Sequence, residues 1–177
     1  MSLTIIILAA RKGSRMKSAR PKVIHPLAGK PMLQHVVDTS RKLQPEQILL
    51  VIGHESEQVR QAMQGQDLLF VEQSEQLGTG HAVMQCHDQI KPGNDILVLY
   101  GDVPLISDLT LEQMIRIGQD SVVCLLSFIA DDPSGYGRIT RDDSGHVTAI
   151  IEDKDANQQE REIRECNSGI MFIQGGE

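Results

Sequence analysis

Cysteine is scarce in this sequence, with only Cys86, Cys124 and Cys166, widely spaced and without a CxxC pair. An odd and scattered set excludes a disulfide framework or a zinc knuckle, and a reducing cytoplasm is its simplest setting. Long apolar runs are missing too. LTIIILAA, residues 3–10, is far too short to span a bilayer and lacks the charged lead of a signal peptide. No Asn-x-Ser/Thr sequon occurs. Basic charge is in deficit, 17 Lys+Arg against 24 Asp+Glu for a net of -7. That excludes a general nucleic-acid binder, which needs a basic excess to replace counterions along a phosphate backbone. Neither nucleic acid nor a membrane is therefore expected as a partner. The phosphate-loop patterns GxxxxGK[ST] and GxGxxG are both absent, and His54-Glu55 begins an HExxH pattern that no second His completes.

What is present fits one globular domain with a substantial core: 177 residues, 40% hydrophobic and 23% charged. The charge is unevenly spread. Residues 1–42 hold nine basic side chains and a single acid, Asp38, so the head carries +8 and the remainder -15. An acidic protein with a basic head can bind an anion that is small and local.

Short, nearly unbroken Ile/Val/Leu runs at residues 3–8, 48–52, 68–71, 96–100 and 122–129 read as strands covered on both faces. Helix-period stretches lie between them, at 31–43 (opening with Pro31 at the first helical position), 56–63, 80–90 and 109–117. This alternation predicts an α/β fold, a Rossmann-like three-layer open and mostly parallel sheet of the doubly wound kind. Beyond residue 130 short alternating segments at 136–140 and 146–151 predict hairpins, an appended β region. A solvated charge-rich stretch, 153–165, then precedes a last apolar run at 170–173. His35 and His87 read as surface or packing residues, and Met63, Met84 and Met114 as core filler.

In open α/β sheets ligands bind beyond the carboxyl ends of the strands. After the first strand come Leu8, Ala9, Ala10 and Arg11, then Gly13, Arg15 and Pro21-Lys22. Small residues let a ligand approach the backbone and the cations suit phosphates, although a basic loop of this kind is equally a solvated turn. After the fourth strand, Tyr100-Gly101-Asp102-Val103-Pro104 presents a carboxylate that either holds Mg²⁺ or only caps its turn. Gln73 precedes Gly78-Thr79-Gly80, which either exposes amides to an anion or sugar hydroxyl or is an ordinary helix cap.

Taken in order, LAA-x-x-G-S-R-M with Pro21-Lys22, EQLGTGHA, YGDVPL, YGRI, IxEDKDA and NSGI resemble the sugar-phosphate nucleotidyltransferases over residues 3–173. The LGTGHA and EDKDA forms are most similar to the N-terminal half of the bacterial N-acetylglucosamine-1-phosphate uridylyltransferases. The resemblance implies that UTP and N-acetylglucosamine 1-phosphate are the partners and Mg²⁺ the cofactor, in cell-wall precursor synthesis in the cytoplasm. The sugar phosphate would attack the α-phosphorus in line, already ionised and needing no general base. By the same resemblance Leu8, Ala9, Ala10 and Arg11 meet the uridine, Gln73 and Gly78 read the uracil, and Arg15 and Lys22 brace the triphosphate. Asp102 holds Mg²⁺, Tyr100 and Gly101 line the same ledge, and Thr79, Gly137, Glu152 and Asn167 face the sugar.

The chain departs from the pattern at Arg11, where the family has Gly. This side chain either intrudes on the nucleotide or pairs with a phosphate, and weakened UTP binding is the expectation. The family also has a further Asn metal ligand and a left-handed β-helix acetyltransferase domain beyond the point where these residues end. Residues 1–177 are accordingly expected to be a nucleotidyltransferase domain truncated at its C-terminal end, with any homo-oligomer formed only through the missing domain. The alternatives are a relative using another sugar 1-phosphate or nucleotide, and a nucleotide-sugar binding module with little turnover.

Overall fold

The structure is a computed structural model that describes residues 2–10, 18, 20–53 and 56–175. It divides into two compact units, Met1–Cys124 with Phe172–Glu177, and Leu125–Met171. The first contains, in chain order, β1 (Leu3–Leu8), a 3-10 turn at Lys22–Ile24, a small hairpin of β2 (Pro26–Leu27) and β3 (Lys30–Pro31), α1 (Met32–Lys42), β4 (Gln47–Gly53), α2 (Glu57–Ala62), β5 (Leu69–Gln73), α3 (Thr79–Met84), a 3-10 turn at His87–Gln89, β6 (Asp95–Tyr100) and α4 (Asp108–Gly118). The chain leaves through β7 (Val123–Ile129), builds β8 (Arg138–Arg141), β9 (Val147–Ile151) and α5 (Gln158–Arg161), and returns along β10 (Glu165–Ile173).

In the first unit β5, β4, β1 and β6 lie side by side in that order, and every pairing is parallel. Ile5, Ile6 and Ile7 are each fully buried, as are Leu49 through Ile52. Successive strand residues point to opposite faces, so unbroken burial means that both faces are covered, as a parallel sheet requires. Each such side chain contributes about 1.5–3 kcal/mol by leaving water. α1 buries Leu33, Val36, Val37 and Ser40, a single stripe at helical spacing. Pro31 stands one residue earlier than expected, as the N-cap with φ -53°. α4 is capped by Ser107, whose hydroxyl accepts the Thr110 N–H at 3.1 Å.

The second unit is antiparallel, β8 pairing with β9 and with β10. The predicted hairpin turns at Gly145, with φ +84°, where the Asp142 N–H donates to the His146 carbonyl at 2.9 Å.

Several further expectations need correction. β7 is not covered on both faces: Val123 is 48% exposed and Ile129 67%. Its apolar run resembles a central parallel strand, but it pairs with β10 outside the parallel set. The helix expected at 80–90 stops at Met84, where the Cys86 N–H turns to the Val83 carbonyl at 2.9 Å and tightens the chain. Met84 is consequently exposed rather than core filler, whereas Met63 and Met114 are buried. The final strand starts at Glu165, five polar or small residues earlier than its apolar run implied. His35 and His87 keep to the surface and packing roles expected. No helix among the described residues is long and apolar enough to cross a membrane.

Candidate active site

The strand order sets the location. From β1 the chain steps outward to β4 and β5, then crosses back to place β6 on the other side of β1. Such a reversal opens a crevice at the carboxyl ends of the strands flanking it. The register brings those ends level, with Leu8 opposite both Val51 and Tyr100, and Gly53 opposite Gln73.

A cavity of about 210 Å³ opens there, lined by Leu8, Ala10, Gln73, Gln76, Gly78, Thr79, Ala82 and Tyr100. Six of these are residues singled out from the sequence. Gln73 is buried, and its Nε2 reaches the Gly78 carbonyl at 3.3 Å and His81 Nδ1 at 3.0 Å. With those amide hydrogens committed, Oε1 is the atom that this side chain can offer a ligand. Gly78 has φ +108° and ψ -179°, a combination essentially closed to other residues. Thr79 Oγ1 and the Tyr100 hydroxyl lie 3.2 Å apart and join α3 to the end of β6. Directly after β1 the Ala9 N–H donates to the Val51 carbonyl at 2.8 Å. Gln76 was quoted only as part of a motif, yet its Nε2 donates to the Ala10 carbonyl at 2.6 Å and holds the cavity wall. Its place in the loop that carries Gly78 was the available signal.

Asp102 lies on the ledge just after β6. Its Oδ2 accepts from Lys22 Nζ at 2.8 Å, with side chains 29% and 40% exposed. The reach is built from apolar anchors. Val23, beside Lys22, is buried, and a Cβ on Gly101 would lie 3.4 Å from Val23 Cγ1 and 3.0 Å from Leu33 Cδ1. Only a residue without a side chain lets the ledge settle that closely. An ion pair this exposed is worth about 0–1 kcal/mol, too little to explain the arrangement by stability alone. No group of three or more His, Cys, Asp or Glu able to hold a metal exists among the described residues. Mg²⁺ does not need one, since it takes one or two carboxylates and fills its remaining positions with water and substrate phosphate. Asp102 fits as such a single protein ligand, its carboxylate having lone pairs for both Lys22 and a metal.

Gly137, Glu152 and Asn167 form a separate group in the second unit. The Asn167 N–H donates to the Gly137 carbonyl at 2.8 Å. A Cβ on Gly137 would lie 3.7 Å from Asn167 Cβ and 3.8 Å from Glu152 Oε1, so three segments distant in sequence converge on the glycine. Arg11, Arg15 and the incomplete His54-Glu55 pattern lie outside the described residues.

Comparison with known proteins agrees with this picture. The family model of the MobA-like NTP transferase domain matches residues 5–153. A protein of Cellvibrio japonicus, "Bifunctional protein GlmU", is 53% identical over 171 residues, 97% of this chain and 38% of that protein. Its namesake from Stutzerimonas stutzeri is 54% identical over 175 residues, 99% of this chain and again 38% of the relative. The chain thus spans little more than a third of the length of these relatives. Among solved structures, a Bacillus anthracis protein assigned as a glucose-1-phosphate thymidylyltransferase, in complex with a sucrose, superposes with a TM-score of 0.80 at 21% identity, covering 98% of this chain and 72% of its own; it shares the fold. By its sheet, the crevice at its strand ends and the match over residues 5–153, the chain belongs to the MobA-like NTP transferase family.

Proposed function

We propose that this chain transfers UMP from UTP to N-acetylglucosamine 1-phosphate, giving UDP-N-acetylglucosamine and pyrophosphate, in the cytoplasm. The observation that carries this reading is the cavity at the strand ends, where Leu8, Ala10, Gln73, Gly78, Thr79 and Tyr100 meet. These come from four stretches of sequence whose motifs point to nucleotide and sugar recognition.

A phosphate oxygen of the sugar phosphate forms a bond to the α-phosphorus of UTP, the bond from that phosphorus to the bridging oxygen breaks, and pyrophosphate departs with the electron pair. Both reactants are anions. At about 4 Å two like unit charges repel by roughly 4 kcal/mol at an effective dielectric of 20, so alignment and charge neutralisation are the main tasks. Lys22 supplies fixed positive charge at the ledge, and Arg15 a second cation. Gln73 presents its Oε1 to the imide N–H of the uracil, which cytosine lacks. Gly137, Glu152 and Asn167 recognise the sugar and its acetamido group. Bound at Asp102, Mg²⁺ would neutralise phosphate charge.

A pyrophosphate-release assay with UTP, N-acetylglucosamine 1-phosphate and Mg²⁺ tests the reading. Turnover with this pair, above that with CTP, dTTP or other sugar phosphates, is the expected result. Product binding without pyrophosphate release would show a binding module instead. Arg11→Gly addresses the departure in the loop, since tighter UTP binding in the variant is expected and equal affinity would remove Arg11 from the account.

A further inference from the structure

Arg138 is the largest fully buried side chain among the described residues, only 2% exposed. One end of its guanidinium, Nη1, donates to the Tyr136 carbonyl, and Nη2 donates to Asp153 Oδ1 at 2.8 Å. Its Nε has no hydrogen-bond partner among the described residues. Stability does not explain such a residue. Desolvating a guanidinium costs several kcal/mol, and an apolar side chain of similar volume is often as stable or better.

Its neighbours suggest another role. Gly137 immediately precedes Arg138. Across the sheet Arg138 is in register with Ile151 of β9 and with Cys166 of β10. Glu152 lies between Ile151 and Asp153, hence between the register partner and the ion-pair partner of Arg138. Asn167 follows Cys166 directly. Each of the three residues that converge at Gly137 is thus one step along the chain from a residue that Arg138 is bonded to or paired with.

We propose that Arg138, through its pair with Asp153, is the positioning residue of the sugar-recognition group, holding Gly137, Glu152 and Asn167 in the arrangement that receives the sugar phosphate. This rests on the uridylyltransferase reading. The planar fork is the property that matters, because it grips a carbonyl and a carboxylate at once and a lysine ammonium does not.

The test uses the 177-residue chain with Arg138→Lys and Asp153→Asn, and KM measured separately for each substrate. We expect KM for N-acetylglucosamine 1-phosphate to rise about tenfold or more while KM for UTP changes by less than about twofold. Loss of folded protein would lower apparent kcat and leave both KM values unchanged. If Arg138→Lys does not fold, Asp153→Asn carries the test, since its side chain is 38% exposed and keeps an acceptor oxygen. An unmoved sugar-phosphate KM, or a UTP KM that moves with it, overturns the proposal. Calorimetry with UDP-N-acetylglucosamine and with UTP separates it from the parent reading. A parent chain that binds the nucleotide sugar without turnover sinks the activity, and the positioning role then stands or falls on whether the variants weaken that ligand and not UTP. A parent chain that binds neither overturns both.

Discussion

Lys22 and Asp102 are the residues on which the proposed chemistry and the contribution to stability diverge most. Their ion pair is too exposed to matter much for folding, yet it fixes the charges of the ledge. Lys22→Ala and Asp102→Ala are each expected to lower turnover by about two orders of magnitude or more, the scale for losing one electrostatic stabiliser, with melting temperature nearly unchanged. Initial rates of pyrophosphate release beside a thermal melt check both halves. Glu165 behaves in the opposite way. Hydrogen bonds from Arg141 hold its carboxyl at about 2 in the folded protein, below the usual 4.5. A lowered folded value means that the stability it contributes is complete above about pH 4.5 and is lost as the pH falls toward 2. Urea titrations over that range are expected to show a flatter acid limb for Glu165→Gln than for the parent. The thiols are expected to be inert. Burial pushes Cys86 up to about 12 and raises Cys124 and Cys166 as well, so Ellman's reagent at pH 8 titrates far fewer than the three thiols until denaturant is added.

Among the elements, β1 was legible residue for residue because a run of Ile and Leu interrupted only by Thr4 leaves one interpretation, a strand with no wet face. α1 was nearly as clear, its apolar stripe and terminal cations agreeing with each other. β7 shows the limit of that logic, since an apolar run records what a strand could bury and not whether neighbours arrive to cover it. α5 was hidden inside a charged stretch and apolar period could not reveal it, but the capping box of Asn157 and Glu160 was there to be read. At the strand ends the cavity gathers residues that the motifs name, whereas the bond from Gln76 to Ala10 and the pair of Arg138 with Asp153 required coordinates. At the end of α4, Gly118 is a third such case. A methyl group there would overlap the Phe172 ring and lie 3.1 Å from Cys124 Cβ. Gly118→Ala is therefore expected to cost about 1–3 kcal/mol by overpacking, measurable as a lower urea midpoint with an unchanged slope.

For the whole molecule, the separation of charge is the property that composition alone conceals. A net charge of -7 with a basic head predicts no retardation of duplex DNA at physiological salt, while UTP binding weakens as ionic strength rises; a gel-shift assay and a salt series of UTP affinities test the pair. The division into two units carries a different consequence, for the order of assembly. The chain leaves the first unit after Cys124 and comes back at Phe172, where Gln174 and Gly175 bond to Val122 and Asp95. A ribosome delivers β1, β4, β5, β6 and α4 long before it delivers the Phe172 ring that fills the space beside Gly118. Until the second unit has been synthesised, the nascent first unit waits with that gap open, and the ring that seals it reaches the first unit only after every residue of the second has been translated.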